Sequence, residues 1–302
     1  MVAEAKGSDN DAGGKRGRHR RVEDAPVDRR CFGDHLRRWR RVRQLSQLGL
    51  AVATGVSARH LSFLETGRSQ PSREMVLRLA NALAVPLRER NPMLESAGFA
   101  PMYRLRAWDD PDLRPAMRSV HTVLAAHMPH PALALDRLYD VVASNDAAEA
   151  LLRRLLPQGE GAKINVIRAT LHPRGLAPRI VNFPEWRADV LMRLQQQARR
   201  TGDAALSALH REVAAYPGPG LAPVPRRARA EARPDLFLPL ELRVDRQVLR
   251  FVTTMTVFGS PHDIALQELA IETFLAADEA TACFLRDSCG ASAARASTIA
   301  KS

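Results

Sequence analysis

Cysteine is scarce in this chain: Cys31, Cys283 and Cys289 are the only three among 302 residues, and their spacing matches no zinc motif. An odd count without such a spacing reads as incidental thiols of a reducing compartment, not as a disulfide framework. Long apolar runs are missing too. Nothing approaches the ~18 consecutive apolar residues of a membrane-spanning helix, and residues 1–30 hold no apolar core of a secretory signal. The expectation is a cytoplasmic chain with no membrane partner.

Catalytic signatures are also absent. There is no Gly-x-Ser-x-Gly elbow, no phosphate-cradling glycine loop, no Gly-x-Gly-x-x-Gly and no Cys/His set at metal-ligand spacing. His127 and His130 lie three apart, but Pro129 and Pro131 interrupt the helix such a pair would need. Asp136, Asp245 and Asp263 fall near turns, where acidic residues commonly sit. The reading is a non-enzyme with no metal and no cofactor.

Lysine is absent from residues 31–98, whereas arginine is abundant there. Eleven arginines oppose five acidic residues (Asp34, Glu65, Glu74, Glu89 and Glu95), a net charge of +6. Half of the chain's formal charge of +12 thus sits on a small part of its length. That concentration is the electrostatic footprint of a nucleic-acid binder. The remainder after Gly98, with 26 basic and 22 acidic residues, is nearly balanced and offers no second such surface.

Within the basic segment, Ser46 to Ser69 reads SQLGLAVATGVSARHLSFLETGRS. Ser46 is placed to cap a helix over 47–53, with apolar Leu48, Ala51 and Val52 at helical spacing, and Gly55 stops it. Ser57 caps the next helix, whose inner face is Leu61 and Leu64, and Gly67 closes the unit. A small residue, a glycine four later and a branched apolar residue six beyond (Ala51, Gly55, Leu61) is helix-turn-helix spacing. In such a unit the second helix enters the DNA major groove. Phe32 to Gln44 supplies a preceding helix with Phe32, Leu36, Trp39 and Val42 on one stripe. A helix from Pro71–Glu74 onward, with Val76, Leu77, Ala80 and Leu83 inward, and another from Leu87 to Ala97 complete a five-helix domain.

On that geometry Gln47 is expected to fix the docking angle through a phosphate. Ser57, Ala58, Arg59, Ser62 and Phe63 lie on or near the outer side of the reading helix. Arg59 is the expected base reader, its fork matching guanine O6 and N7, while Ala58 or Phe63 meets a thymine methyl. Arg68 and Arg73 are expected on phosphates. Double-stranded DNA is the expected partner, bound by a homodimer on a palindrome.

LRRWRRVRQLSQ, GVSARHLSFLETGRSQPSREMVLRLANAL and VPLRERN, between Leu36 and Leu94, resemble the five-helix domain of XRE/lambda-repressor-like regulators. RHLSFLETGRSQPSREMVLRLA is more similar still to the MmyB-like branch of actinobacteria and related bacteria.

Residues 1–30 read as a disordered tail with a basic Lys15–Arg21 run, 31–99 as the helix-turn-helix domain and 100–115, rich in proline, as a linker. A second domain over 116–285 and a flexible tail over 286–302 follow. In the second domain, Ala116–Ala126 reads as a helix, then Pro131–Asp136 and Tyr139–Ala143 as short strands, and Asn145 as the cap of a helix to Leu156. Residues 163–175 and Phe183–Tyr216 read as mostly helical, with a loop at Pro217–Pro225. Phe237–Val244 and Val248–Phe258 read as strands about an Arg246-Gln247 turn, and Leu266–Leu275 as a last strand. The class is α+β with a short antiparallel sheet.

DRLYDVVASN, LHPRGLAPRIVNFPEWRADVLMRL and TVFGSPHDIALQELAIETFLAADEAT resemble the ligand-binding domain of MmyB-like regulators, which is similar to a PAS fold. The resemblance implies a transcription regulator that senses a small, apolar or acyl-type ligand. Tyr139, Asn145, Arg179, Asn182 and Trp186 are the expected ligand contacts. The rival reading is a ligand-independent phage-type or antitoxin-type repressor that dimerises through its carboxy-terminal domain.

Overall fold

Helix starts in this chain are set by short polar side chains, and three serines frame the amino-terminal domain. The computed structural model describes residues 31–156, 163–219, 237–259 and 263–288. The expected tail over 1–30 with its Lys15–Arg21 run, the loop from 220 to 225, Cys289 and the tail from 289 onward lie outside the described residues. The first domain consists of α1 (Phe32–Val42), α2 (Gln47–Thr54), α3 (Ala58–Glu65), α4 (Arg73–Ala82) and α5 (Leu87–Ser96). Ser46, Ser57 and Ser72 accept from the backbone N–H of Gly49, His60 and Met75 at 2.9, 3.2 and 3.2 Å, which satisfies donors that the first turns of α2, α3 and α4 leave open. Gly55 ends α2 with φ of 64°, a conformation that glycine adopts without the steric cost of a Cβ.

Leu36, Trp39, Leu50, Leu61, Leu64, Leu79, Leu83, Met93 and Leu94 form the fully buried centre of this domain. One expectation is corrected on α2. Its buried face is Leu50, Ala51 and Thr54, whereas Leu48 and Val52 are 66% and 79% exposed. The α1–α3 crossing is closer than side chains permit: a Cβ on Gly33 would sit 2.4 Å from the Glu65 carbonyl oxygen.

The second domain runs α6 (Arg114–Ala126), β1 (Ala132–Leu135), β2 (Val141–Ser144), α7 (Asp146–Leu155), α8 (Val166–Leu171), α9 (Phe183–Thr201), α10 (Ala204–Ala214), β3 (Leu240–Val244), β4 (Gln247–Val257), α11 (Ile264–Gln267) and β5 (Ala270–Ala276). A helical stretch, α12, covers 279–288. The five strands form one antiparallel sheet in the order β2-β1-β5-β4-β3. Several boundaries differ from expectation: β3 starts at Leu240 and not at Phe237, α6 starts at Arg114 inside the expected linker, and α12 runs to 288, into the tail expected from 286. The hairpin turn is Asp245-Arg246, with Asp245 at φ 52° and Gln247 already in β4. Residues 264–267 form a helical turn because Asp263 accepts from Ala265 N at 2.8 Å, and the last strand starts only at Ala270.

Alternation along the strands divides the sheet into two faces. Ala132, Ala134 and Ile271 pack under α6 with Val120 and Leu124. Leu133 and Met255 flank Glu272 in register on the opposite face, which turns toward α7, α8 and α9.

The two domains meet along a polar seam. Arg88 forms a two-point pair with Glu268, Nε to Oε1 and Nη2 to Oε2, both at 2.8 Å. Gln267 Oε1 accepts from Leu87 N at 2.8 Å, and Arg38 Nη2 donates to Gly202 O at 2.9 Å. Arg106 Nη1 joins Asp263 Oδ2 at 2.7 Å where the connecting segment crosses α11.

Candidate DNA-reading helix and ligand cavity

Glu65 closes α3 and is almost completely buried, yet it carries its charge. Burial pushes its carboxyl up, but hydrogen bonds from Arg40 and Gln47, with the charges of Arg40 and Arg37, hold it below its ordinary range. Arg40 Nε and Nη2 donate to Glu65 at 2.7 and 3.1 Å, and Gln47 Nε2 at 2.8 Å. Arg37 Nη2 adds a bond to the Glu65 carbonyl oxygen at 2.7 Å. One carboxylate therefore ties α1, α2 and α3 together and sets the angle at which α3 stands.

Along α3, Ser57 and Arg59 are exposed, and Ala58, Ser62 and Phe63 are half-buried on the outer side. The Arg59 guanidinium lies over the Phe63 ring at 5.4 Å, a cation–π contact that extends the arginine along the helix surface. Arg68 is exposed beyond the end of α3. Two residues expected on phosphates have internal partners: Gln47 donates to Glu65, and Arg73 donates to Ala100 O at 3.3 Å beside the Phe99 ring.

In the second domain a cavity of about 840 Å³ opens between the sheet and α7, α8 and α9. Leu133, Phe251 and Phe274 line it from the sheet, Leu151, Leu152 and Leu155 from α7, and Trp186 and Val190 from α9. A pocket of this size and apolar lining suits a small organic molecule. Its polar groups are few. Tyr139, at φ 66° in the β1–β2 turn, donates its hydroxyl to Gln197 Oε1. The Trp186 Nε1–H has no hydrogen-bond partner among the described residues. Glu272 sits in the floor, 7% exposed, and desolvation raises its carboxyl to about 7 against the opposing charge of Arg193, which is itself paired with Asp189 at 2.7 Å.

Of the five expected ligand contacts, Tyr139 and Trp186 line this cavity and the other three do not. Asn145 caps α7, accepting from Ala148 N, and braces Ala132, Leu124 and His130 through their backbones. Asn182 clips α9 to β3, donating to Pro239 O at 2.7 Å and accepting from Glu241 N at 3.2 Å. Arg179 is exposed in a 3-10 turn. Glu272, Arg193, Gln196 and Gln197 were missed: an acid on a strand and amides on a helix read as solvent-facing until the layers are assembled. No cluster able to hold a metal ion occurs among the described residues, and no helix among them is long and apolar enough to cross a membrane.

Residues 32–93 match the family model of a helix-turn-helix domain, and residues 116–287 that of the MmyB-like transcription regulator ligand binding domain, the latter covering more than half of the chain. A search of the curated proteins finds no match.

Glu272 generates a pH-dependent prediction. Between its ordinary value of 4.5 and about 7, the unfolded chain loses this proton while the folded chain keeps it. Stability therefore falls as pH rises through that window. Glu272→Gln should abolish that fall and make the variant relatively more stable above neutrality, by up to about 3 kcal/mol. Urea unfolding of both proteins across the window checks this, and parallel pH profiles would contradict it.

Proposed function

The chain belongs to the MmyB-like transcription regulators, and we propose that it is a one-component sensor: a homodimer that reads an operator through α3 and binds a small apolar or acyl-type ligand in the second domain. The cavity of about 840 Å³ between sheet and helices is the observation that carries the ligand half of this reading. Its lining is leucine, valine and aromatic carbon for most of its surface, so a hydrocarbon body gains by leaving water at ~25 cal/mol per Å² buried. Tyr139, Trp186 and Glu272 give it a small number of polar points by which one ligand is told from another.

The DNA half rests on α3. Arg59 reaches a base edge, Ala58 and Phe63 supply apolar contact, and Ser57, Ser62 and Arg68 meet the backbone or neighbouring bases. Gln47 acts chiefly through Glu65, holding the amino-terminal end of α2 toward a phosphate. Arg73 approaches the duplex only by releasing Ala100. The supporting observations are the exposure of Arg59 and Arg68 and the rigid Glu65 brace beneath them.

Two outcomes are expected. Native mass spectra of gently purified protein should show a dimer with a reproducible excess mass that disappears on denaturation. A bare protein mass would move the reading to a repressor without a ligand. Arg59→Ala should lose sequence preference worth ~1–3 kcal/mol per half-site while non-specific binding survives. An equal loss on all duplexes in competition binding would make Arg59 a phosphate contact.

A further inference from the structure

Among the described residues the two outermost strands of the sheet are covered or short, but β4 overruns its neighbour. Along β3, Ile180 bridges Leu242 and Val181 N donates to Glu241 O at 2.8 Å, so the outer side of that strand is occupied. β2 has only four residues, and Val141 N at its start donates to Ile164 O at 2.8 Å. β4 has eleven residues against five in β3, and the pairing of the two ends at Leu240–Phe251. From Val252 to Val257 it pairs with β5 alone.

Alternation fixes which groups are left over. The hairpin pairs Val244 with Gln247, so the N–H and C=O of Gln247, Leu249 and Phe251 face β3. Arg250 faces the other way, its carbonyl accepting from Ala277 N at 2.9 Å. By the same alternation Thr253, Met255 and Val257 turn their N–H and C=O outward, and no described residue hydrogen-bonds them there. Sheet edges are ordinarily blunted by a charge, a proline or a bulge. The run from Val252 to Phe258, VTTMTVF, has no charge and no proline, and it keeps one unbroken register with β5 up to Val257. Met255 and Val257 are 46% and 67% exposed.

An edge of this kind is completed by an added strand, and a second copy of the same strand fits it. Two-fold antiparallel pairing centred on Met255 sets Met255 opposite Met255 and Thr253 opposite Val257, so outward donors meet outward acceptors at each position. Copies of a chain with formal net charge +12 meet there without a like-charge pair. Opposed side chains share a face, so the Met255 and Val257 side chains that line each cavity are joined by the same residues of the other copy. We infer that β4 is the dimerisation edge: two copies join through Thr253–Val257 into one continuous antiparallel sheet, and the joint closes each cavity on the side where Met255 and Val257 stand exposed. This rests on the homodimer proposed above and names its surface.

The test places single cysteines in the full chain after Cys31, Cys283 and Cys289 are replaced by serine. In the two-fold register the two Met255 Cα atoms lie about 5.5 Å apart, a separation that a disulfide spans. The two Val257 Cα atoms lie four residues apart along the strand, on the order of 13 Å. Met255→Cys should therefore oxidise to a covalent dimer on a non-reducing gel, while Val257→Cys, at the more exposed position, should stay a monomer. Sedimentation velocity gives the second readout: wild type runs as a dimer, and Met255→Lys, which sets two ammonium groups face to face at the axis, dissociates about tenfold more readily or beyond. A dimeric wild type with no cross-link at Met255→Cys, or with equal cross-linking at both positions, overturns the β4 edge alone. A wild type that stays monomeric at every concentration overturns the homodimer reading beneath it and leaves the edge to a strand of another protein.

Discussion

The buried carboxylate of Glu65 is the constraint on which the DNA-binding geometry depends. A charge in that position is tolerable only when its oxygens are satisfied, and Arg40 and Gln47 satisfy them from two different helices. Removing either partner would leave a desolvated acid, so α1, α2 and α3 move as one body. The close approach at Gly33, where a Cβ would meet the Glu65 carbonyl, allows the three helices to come near enough for those bonds. Arg59 then stands on a fixed platform, which is what base reading requires.

A second set of contacts fastens that platform to the sensor domain. The Arg88–Glu268 pair, the Leu87–Gln267 bond and the donations of Arg38 and Arg43 to the end of α9 come from α1, its C-cap and α5, and none of them engages α3. Such contacts leave the reading face clear, and Arg43, Ala84 and Pro86 of the first domain line the rim of the sensor's cavity. Under the proposed function, what occupies the rim and how the helix-turn-helix is held are aspects of one equilibrium.

Much of this was legible in the sequence because it is local. Ser46, Ser57, Ser72 and Asn145 act within one helical turn, and Gly55 acts on its own backbone, so capping and stopping can be read from spacing alone. The antiparallel α+β class followed from the change of period after Pro131. What was not legible is non-local. Leu48 and Val52 have the same spacing as a buried stripe, and only the placement of α3 and α4 decides that Leu50 and Thr54 face inward instead. Leu266 and the residues before it are apolar enough for a strand, but the Asp263 cap and the seam contact at Gln267 hold a helical turn there. Among the expected ligand contacts, Asn145, Arg179 and Asn182 were chosen for polarity. The cavity instead draws its polar groups from Glu272 and Arg193, brought together by β5 and α9 across a long sequence separation.

The most direct test of ligand-linked DNA binding is the affinity of the full chain for an operator duplex selected from random DNA, measured on protein stripped of small molecules and again with 11-(dansylamino)undecanoic acid added as an acyl probe. Linkage through the shared rim predicts that the two affinities differ by about fivefold or more. Equal affinities, with the probe demonstrably bound, would contradict it.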